Sequence, residues 1–206
     1  MIIKHRGFKP VIDPTAYIAP TAVLVGNITV GKNSRIMYGS ILDSEGSKIK
    51  IRDNSIICEN AVLRATAQGN KEYPVNVGDN VFVSPHATLI GCQIQSYSYI
   101  ATGATVLQGA FAQSGAAIAV GALVHANTVI PSEVFIPPQN IAIGDPMKIY
   151  SPDNREDLTK AIKSIEFAKT AFNIDAKWEN RKERYKEATE VRSKEFKSHF
   201  DDDILN

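Results

Sequence analysis

Cysteine is scarce: Cys58 and Cys92 are the only two in 206 residues. They make no disulfide framework and match no zinc-motif spacing, which favours a reducing interior. Long apolar runs are missing as well. None approaches the roughly 20 residues that a membrane span needs, so a soluble or peripheral protein without a transmembrane segment is expected. Net charge is small, with 23 Lys+Arg against 22 Asp+Glu, and gives no electrostatic reason to expect a nucleic-acid partner. Acid is locally absent from the start, where MIIKHRGFKP holds Lys4, Arg6 and Lys9 before the first acid at Asp13. That stretch is too short, and too soon followed by the repeat below, to be a cleaved secretory signal. It reads as a polar lead-in strand, or as a small uncleaved organellar address.

What the chain does have is a six-residue beat. Ile94, Ile100, Val106, Ala112, Ile118, Val124 and Ile130 fall on every sixth position, with small residues four further on at Ser98, Ala104, Ala110, Ala116, Ala122 and Thr128. A strand repeats every two residues and an α-helix near 3.6, so a sustained six requires a chain that turns a corner each time. Short strands then stack as parallel rungs about 4.8 Å apart around a triangular prism. The aliphatic residue fills the interior and the small one sits at the corner. The beat runs back through Ile12, Ile18, Leu24, Val30, Ile36 and Leu42, slips at Asp43 to Lys50, and resumes at Ile51, Ile57 and Leu63. It resets again after the insertion AQGNKEYP to Val77, Val83 and Leu89. An antiparallel sandwich with frequent turns does not produce such a series. The expected fold is mainly β, a left-handed parallel β-helix of hexapeptide repeats with C-terminal α-helices.

The prism is expected to begin near Val11 and end near Ile130 or a little beyond. The proline-rich PSEVFIPPQNIAIGDPMKIYSP should leave it as extended chain. This divides the chain into a β-helix domain with its exit strand, 1–148, and a helical segment, 149–206, that packs on the prism and extends to a partner. Leu158, Ala161, Ile162, Ile165, Ala168 and Phe172 make one apolar stripe at helical spacing, with Asp153 as the expected N-cap. The last segment alternates acids and bases and offers few large apolar groups, among them Trp178, Tyr185, Val191 and Phe196. Such a helix has little reason to be stable alone. It is either a solvated helix laced by i to i+4 ion pairs or one held by a larger assembly.

The stretches VLVGNITVGKNSRIMYGSIL, SIICENAVLRA, VGDNVFVSPHATLIGCQI and the closing GDPMKIY before a helix resemble the γ-class carbonic anhydrases and their relatives, up to about residue 172. The resemblance implies a trimer, and in active members a zinc ion held between subunits by three histidines. Carried over by that resemblance, the family's Arg-Gly-Asp falls on Asp43, Ser44 and Glu45, and its Gln-Asp pair on Cys58 and Glu59. The three zinc histidines fall on Arg64, Pro85 and Ile90. Arginine offers no lone pair at any accessible pH, proline's ring has no donor and isoleucine is hydrocarbon. No metal, cofactor or catalytic residue is therefore expected at these positions.

His86 stands beside Pro85, but a one-residue shift on a rung turns a side chain to the opposite side, so a surface or interface role is expected for it. Residues one place after the aliphatic position form a column of Val25, Asp43, Arg64, Ile90, Leu107 and His125. Arg64 is expected to occupy the volume of the lost cation, bonded to Asp43, Glu45 or Glu59. His125 is the other candidate base, for which a structural role is expected.

The function expected is a non-catalytic scaffold in a homo- or heterotrimer of γ-carbonic-anhydrase-like subunits. Degenerate relatives of this kind are known on the matrix side of mitochondrial respiratory complex I, a large membrane-associated complex that the C-terminal helix would contact. The alternative is a soluble, cytoplasmic homotrimeric hexapeptide-repeat acyltransferase or carbonic-anhydrase-like bacterial enzyme using His86 or His125.

Overall fold

A computed structural model describes residues 1–68, 71–175 and 179–205. Three parallel sheets form the sides of a left-handed β-helix, and each hexad supplies one short strand, so that three successive hexads complete a turn. Along one side Leu24, Leu42, Leu63, Leu89, Val106, Val124 and Ala142 stack in register, rung upon rung. Their side chains are fully buried. The other two sides carry equivalent files through Ile51, Val77, Ile94 and Ile130 and through Ile36, Ile57, Ile100, Ile118 and Ile136. Each such side chain removed from water contributes about 1.5–3 kcal/mol, so the interior file, repeated on three sides, is what holds the prism. At the corners Ala104, Ala110, Ala116, Ala122 and Thr128 are buried, where a larger side chain would meet the next turn.

The prism is longer at both ends than the beat suggested. It opens on the strand Ile2–Lys4, parallel to Val23–Val25, and not near Val11. It continues past Ile130 through Phe135–Ile136 and Ile141–Ile143, each parallel to the rung below. Pro131, Pro137 and Pro138 do not eject the chain, because they lie in corner turns where no ladder N–H is required of them. Ile136 and Ala142 carry the beat on inside. Only after Gly144 does the chain reverse, and Lys148–Tyr150 then pairs antiparallel with Ile141–Ile143. The insertion forms an antiparallel hairpin, Thr66–Gln68 with Lys71–Tyr73. Its Tyr73 backs onto Gly91, a residue at φ +51 where an added Cβ would come within 2.6 Å of the Tyr73 Cβ.

The apolar stripe beyond the prism is split between two helices. Helix α1, Arg155–Ser164, buries no residue, and a left-handed Glu166 separates it from α2, Phe167–Phe172, which buries Thr170 and Ala171. The N-cap is Asn154 and not Asp153, since the Asn154 side chain accepts from the Asp157 N–H. Helix α3, Arg181–Phe196, buries Arg184 and Ala188. Trp178 lies outside the described residues. A 3-10 turn, Lys197–Asp201, then leads to the strand Asp203–Leu205, which adds antiparallel to Ile2–Lys4. The charged tail thus returns to the first rung of its own chain, covering an open sheet edge. No helix among the described residues is long and apolar enough to cross a membrane.

Candidate functional site

The column drawn from the hexads exists. Val25, Asp43, Arg64 and Ile90 are successive register partners across four rungs. Leu107 and His125 follow one place after Val106 and Val124 on the next two rungs. Asp43 ends the strand Ile41–Asp43, and its Oδ1 accepts the Glu45 N–H at 3.0 Å. The short link folds Glu45, at φ 44, back over the same face. Its carboxylate is wholly buried, and Arg64 Nη2 donates to Glu45 Oε1 at 2.8 Å while remaining 23% exposed. Of the three acids offered to Arg64 by the sequence, Glu45 takes the bond. Asp43 is spent on the turn, and Glu59 lies on a different corner, where its carbonyl accepts the His86 N–H. Ser44 Oγ accepts the Asn27 N–H. Cys58 and Cys92 are free and buried, and burial pushes the Cys92 thiol up to about 12.

What the sequence did not announce is the other half of this site, which comes from the two chain ends. The Phe196 ring lies under the Arg64 guanidinium at 4.7 Å, and Glu195 Oε1 is 4.0 Å from Arg64 Nη2. His199 Nε2 stands 3.1 Å from Glu45 Oε1 and 4.0 Å from Asp43 Oδ2. Asp202 joins both imidazoles, with Oδ1 2.5 Å from His5 Nδ1 and Oδ2 2.9 Å from His199 Nδ1. Burial alone would lower the His199 pKa, but its bonds to Asp202 and Glu45 outweigh that and raise it. Burial likewise opposes the Asp202 carboxylate, and the two histidines reverse that, holding its pKa below the usual value. Nothing periodic links His5 with His199, so no sequence spacing pointed to them.

Pro85 and His86 form a corner between Phe82–Val83 and Thr88–Ile90, and His86, at φ 60, is exposed. The positions matched to the family's zinc histidines therefore hold a guanidinium already bonded to a carboxylate, a ring without a donor, and a hydrocarbon. These residues do not fit a metal ion. His125 is buried, its Nδ1 accepts the Ala126 N–H at 2.9 Å, and its ring meets Phe167 edge-on at 5.5 Å. Burial lowers its pKa, so it stays neutral, with the remaining proton on Nε2. It lines a cavity of about 570 Å³ under the helices, with Phe167, Phe172, Ile174 and Tyr185.

No family model matches the chain. It is 36% identical over 129 residues to "Gamma carbonic anhydrase 1, mitochondrial" of Arabidopsis thaliana, covering 60% of this chain and 46% of that protein. It is 30% identical over 151 residues to "Carbonic anhydrase" of Methanosarcina thermophila, covering 60% and 61%. The chain spans about half the length of the Arabidopsis relative. Among solved structures, a Bacillus cereus protein proposed to be an acetyltransferase superposes with a TM-score of 0.53 at 23% identity over 97% of this chain and 98% of that one, a likeness of fold. The chain has the hexapeptide-repeat fold and, over the stretch it shares with them, is similar in sequence to the gamma carbonic anhydrases.

Proposed function

We propose that this chain is a non-catalytic, γ-carbonic-anhydrase-like structural subunit, assembled as a homo- or heterotrimer. The observation that carries the reading is the Arg64–Glu45 pair, with the Arg64 guanidinium stacked on the Phe196 ring. A permanent cation stands where the family's metal chemistry would begin, and the chain's own tail covers it. Without a zinc ion at those positions, no bound water is brought towards neutral pKa there. The printed name of the Arabidopsis relative carries the word mitochondrial, which supports a mitochondrial location. The matrix side of the inner membrane, as part of respiratory complex I, is the assembly proposed from the family resemblance.

The test is purification from the native source under mild detergent. Co-migration with a large membrane complex supports the subunit reading, and a free homotrimer contradicts it. The rival reading, an acyltransferase, draws on the cavity beside His125. It predicts acetyl-coenzyme A binding, and the occupied Nδ1 of His125 argues against that residue as a base through that nitrogen.

A further inference from the structure

We propose that His5, Glu45 and His199 form a site for a divalent transition-metal ion, with zinc the best match, which clasps the C-terminal segment to the start of the prism. One ligand atom from each lies within 4.8 Å of the others. They come from three separate places: the end of the first strand, the link after Asp43, and the 3-10 turn of the tail.

Three features distinguish this cluster from a chance gathering of polar groups. The Asp202 carboxylate spans both imidazoles at Nδ1, 2.5 Å from His5 and 2.9 Å from His199. A carboxylate that accepts a hydrogen bond from Nδ1–H fixes the tautomer whose lone pair is on Nε2, which is how outer carboxylates prepare histidines for a metal. The rings are stacked, with centroids 4.3 Å apart and planes 18° apart, and both turn Nδ1 to Asp202. Finally, Glu45 Oε2 is buried with no hydrogen-bond partner, while Arg64 holds the other oxygen. A proton bridges His199 Nε2 and Glu45 Oε1, 3.1 Å apart, and a bound cation would take its place.

Two imidazole nitrogens and a carboxylate suit zinc or a neighbouring first-row ion and not magnesium or calcium. Bonds of about 2.0–2.2 Å would draw the three ligands closer than they now stand. Arg6 Nε, which donates to His5 Nε2 at 3.1 Å, would have to swing away, and its side chain is 39% exposed. Asp43 Oδ2, 4.0 Å from His199 Nε2, is the nearest further carboxylate. The site uses none of Arg64, Pro85 or Ile90 as a ligand and lies within one chain, so it stands or falls separately from the scaffold reading.

The experiment is calorimetric titration of the metal-stripped full chain with zinc chloride, repeated with cobalt(II) while following its visible absorption. One ion per chain is expected. Affinity should fall about 100-fold in His199→Gln and roughly 10–100-fold in Asp202→Asn, and stay unchanged in His86→Gln. Both weakening substitutions lie in the tail, so circular dichroism should report an intact prism. Absence of zinc binding to the wild-type chain, or equal binding by His199→Gln, overturns the proposal.

Discussion

Replacing Arg64 with Met should destabilise the protein more than its partly exposed position suggests. The substitution keeps length and most of the packing against Phe196, but removes the guanidinium 2.8 Å from a carboxylate that is wholly buried. Removing one partner of a buried ion pair costs about 3–5 kcal/mol. Three features reduce that here: Arg64 is 23% exposed, His199 Nε2 stays 3.1 Å from Glu45 Oε1, and Arg6 Nη2 remains 4.0 Å from Glu45 Oε2. A loss of about 2–3 kcal/mol follows. For a chain of this length that lowers the melting temperature by roughly 5–10 °C. The assay is thermal unfolding by circular dichroism in EDTA. The double variant Arg64→Met with Glu45→Gln should regain about half of the loss, because the stranded charge is gone. A single variant that melts within about 1 °C of wild type would refute the claim that this pair is buried and coupled.

Other consequences can be checked alongside. Ile118→Ala, in the middle of an interior file between Ile100 and Ile136, should cost about 2–5 kcal/mol in denaturant unfolding. His125 should titrate below 6.5 by NMR, since burial lowers its pKa. With the folded value below the unfolded one, its contribution to stability is complete above pH 6.5 and lost as pH falls through the folded pKa, so the protection of α2 amides, relative to their intrinsic exchange rates, should fall in mild acid. Ending the chain after Phe196 removes the strand that pairs with Ile2–Lys4. Hydrogen exchange at those first-rung amides should then rise about tenfold or more, while the middle rungs stay protected.

The sequence carried the prism because each hexad repeats the same demand, an aliphatic group inside and a small one at the corner. Ile94 to Ile130 therefore sit where their spacing placed them. Its ends were harder to read. Ile2 has no preceding hexad to announce it, and the prolines at 131, 137 and 138 mimic an exit while serving as corners. The near half of the site, Asp43, Glu45 and Arg64, was legible because register alone stacks Asp43 below Arg64. The far half was not. His5 and Asp202 are 197 residues apart, and their meeting depends on a charged tail whose helix, judged by its own apolar content, had nothing to hold it. The apolar stripe from Leu158 to Phe172 reads as one helix because periodicity is blind to a single left-handed residue such as Glu166.

The central claim is that the column face of this chain is structural and performs no hydration chemistry. Stopped-flow measurement of carbon dioxide hydration by the purified, zinc-supplemented chain tests it directly. The account predicts a rate equal to buffer alone, and a zinc-dependent rate above that background would contradict it.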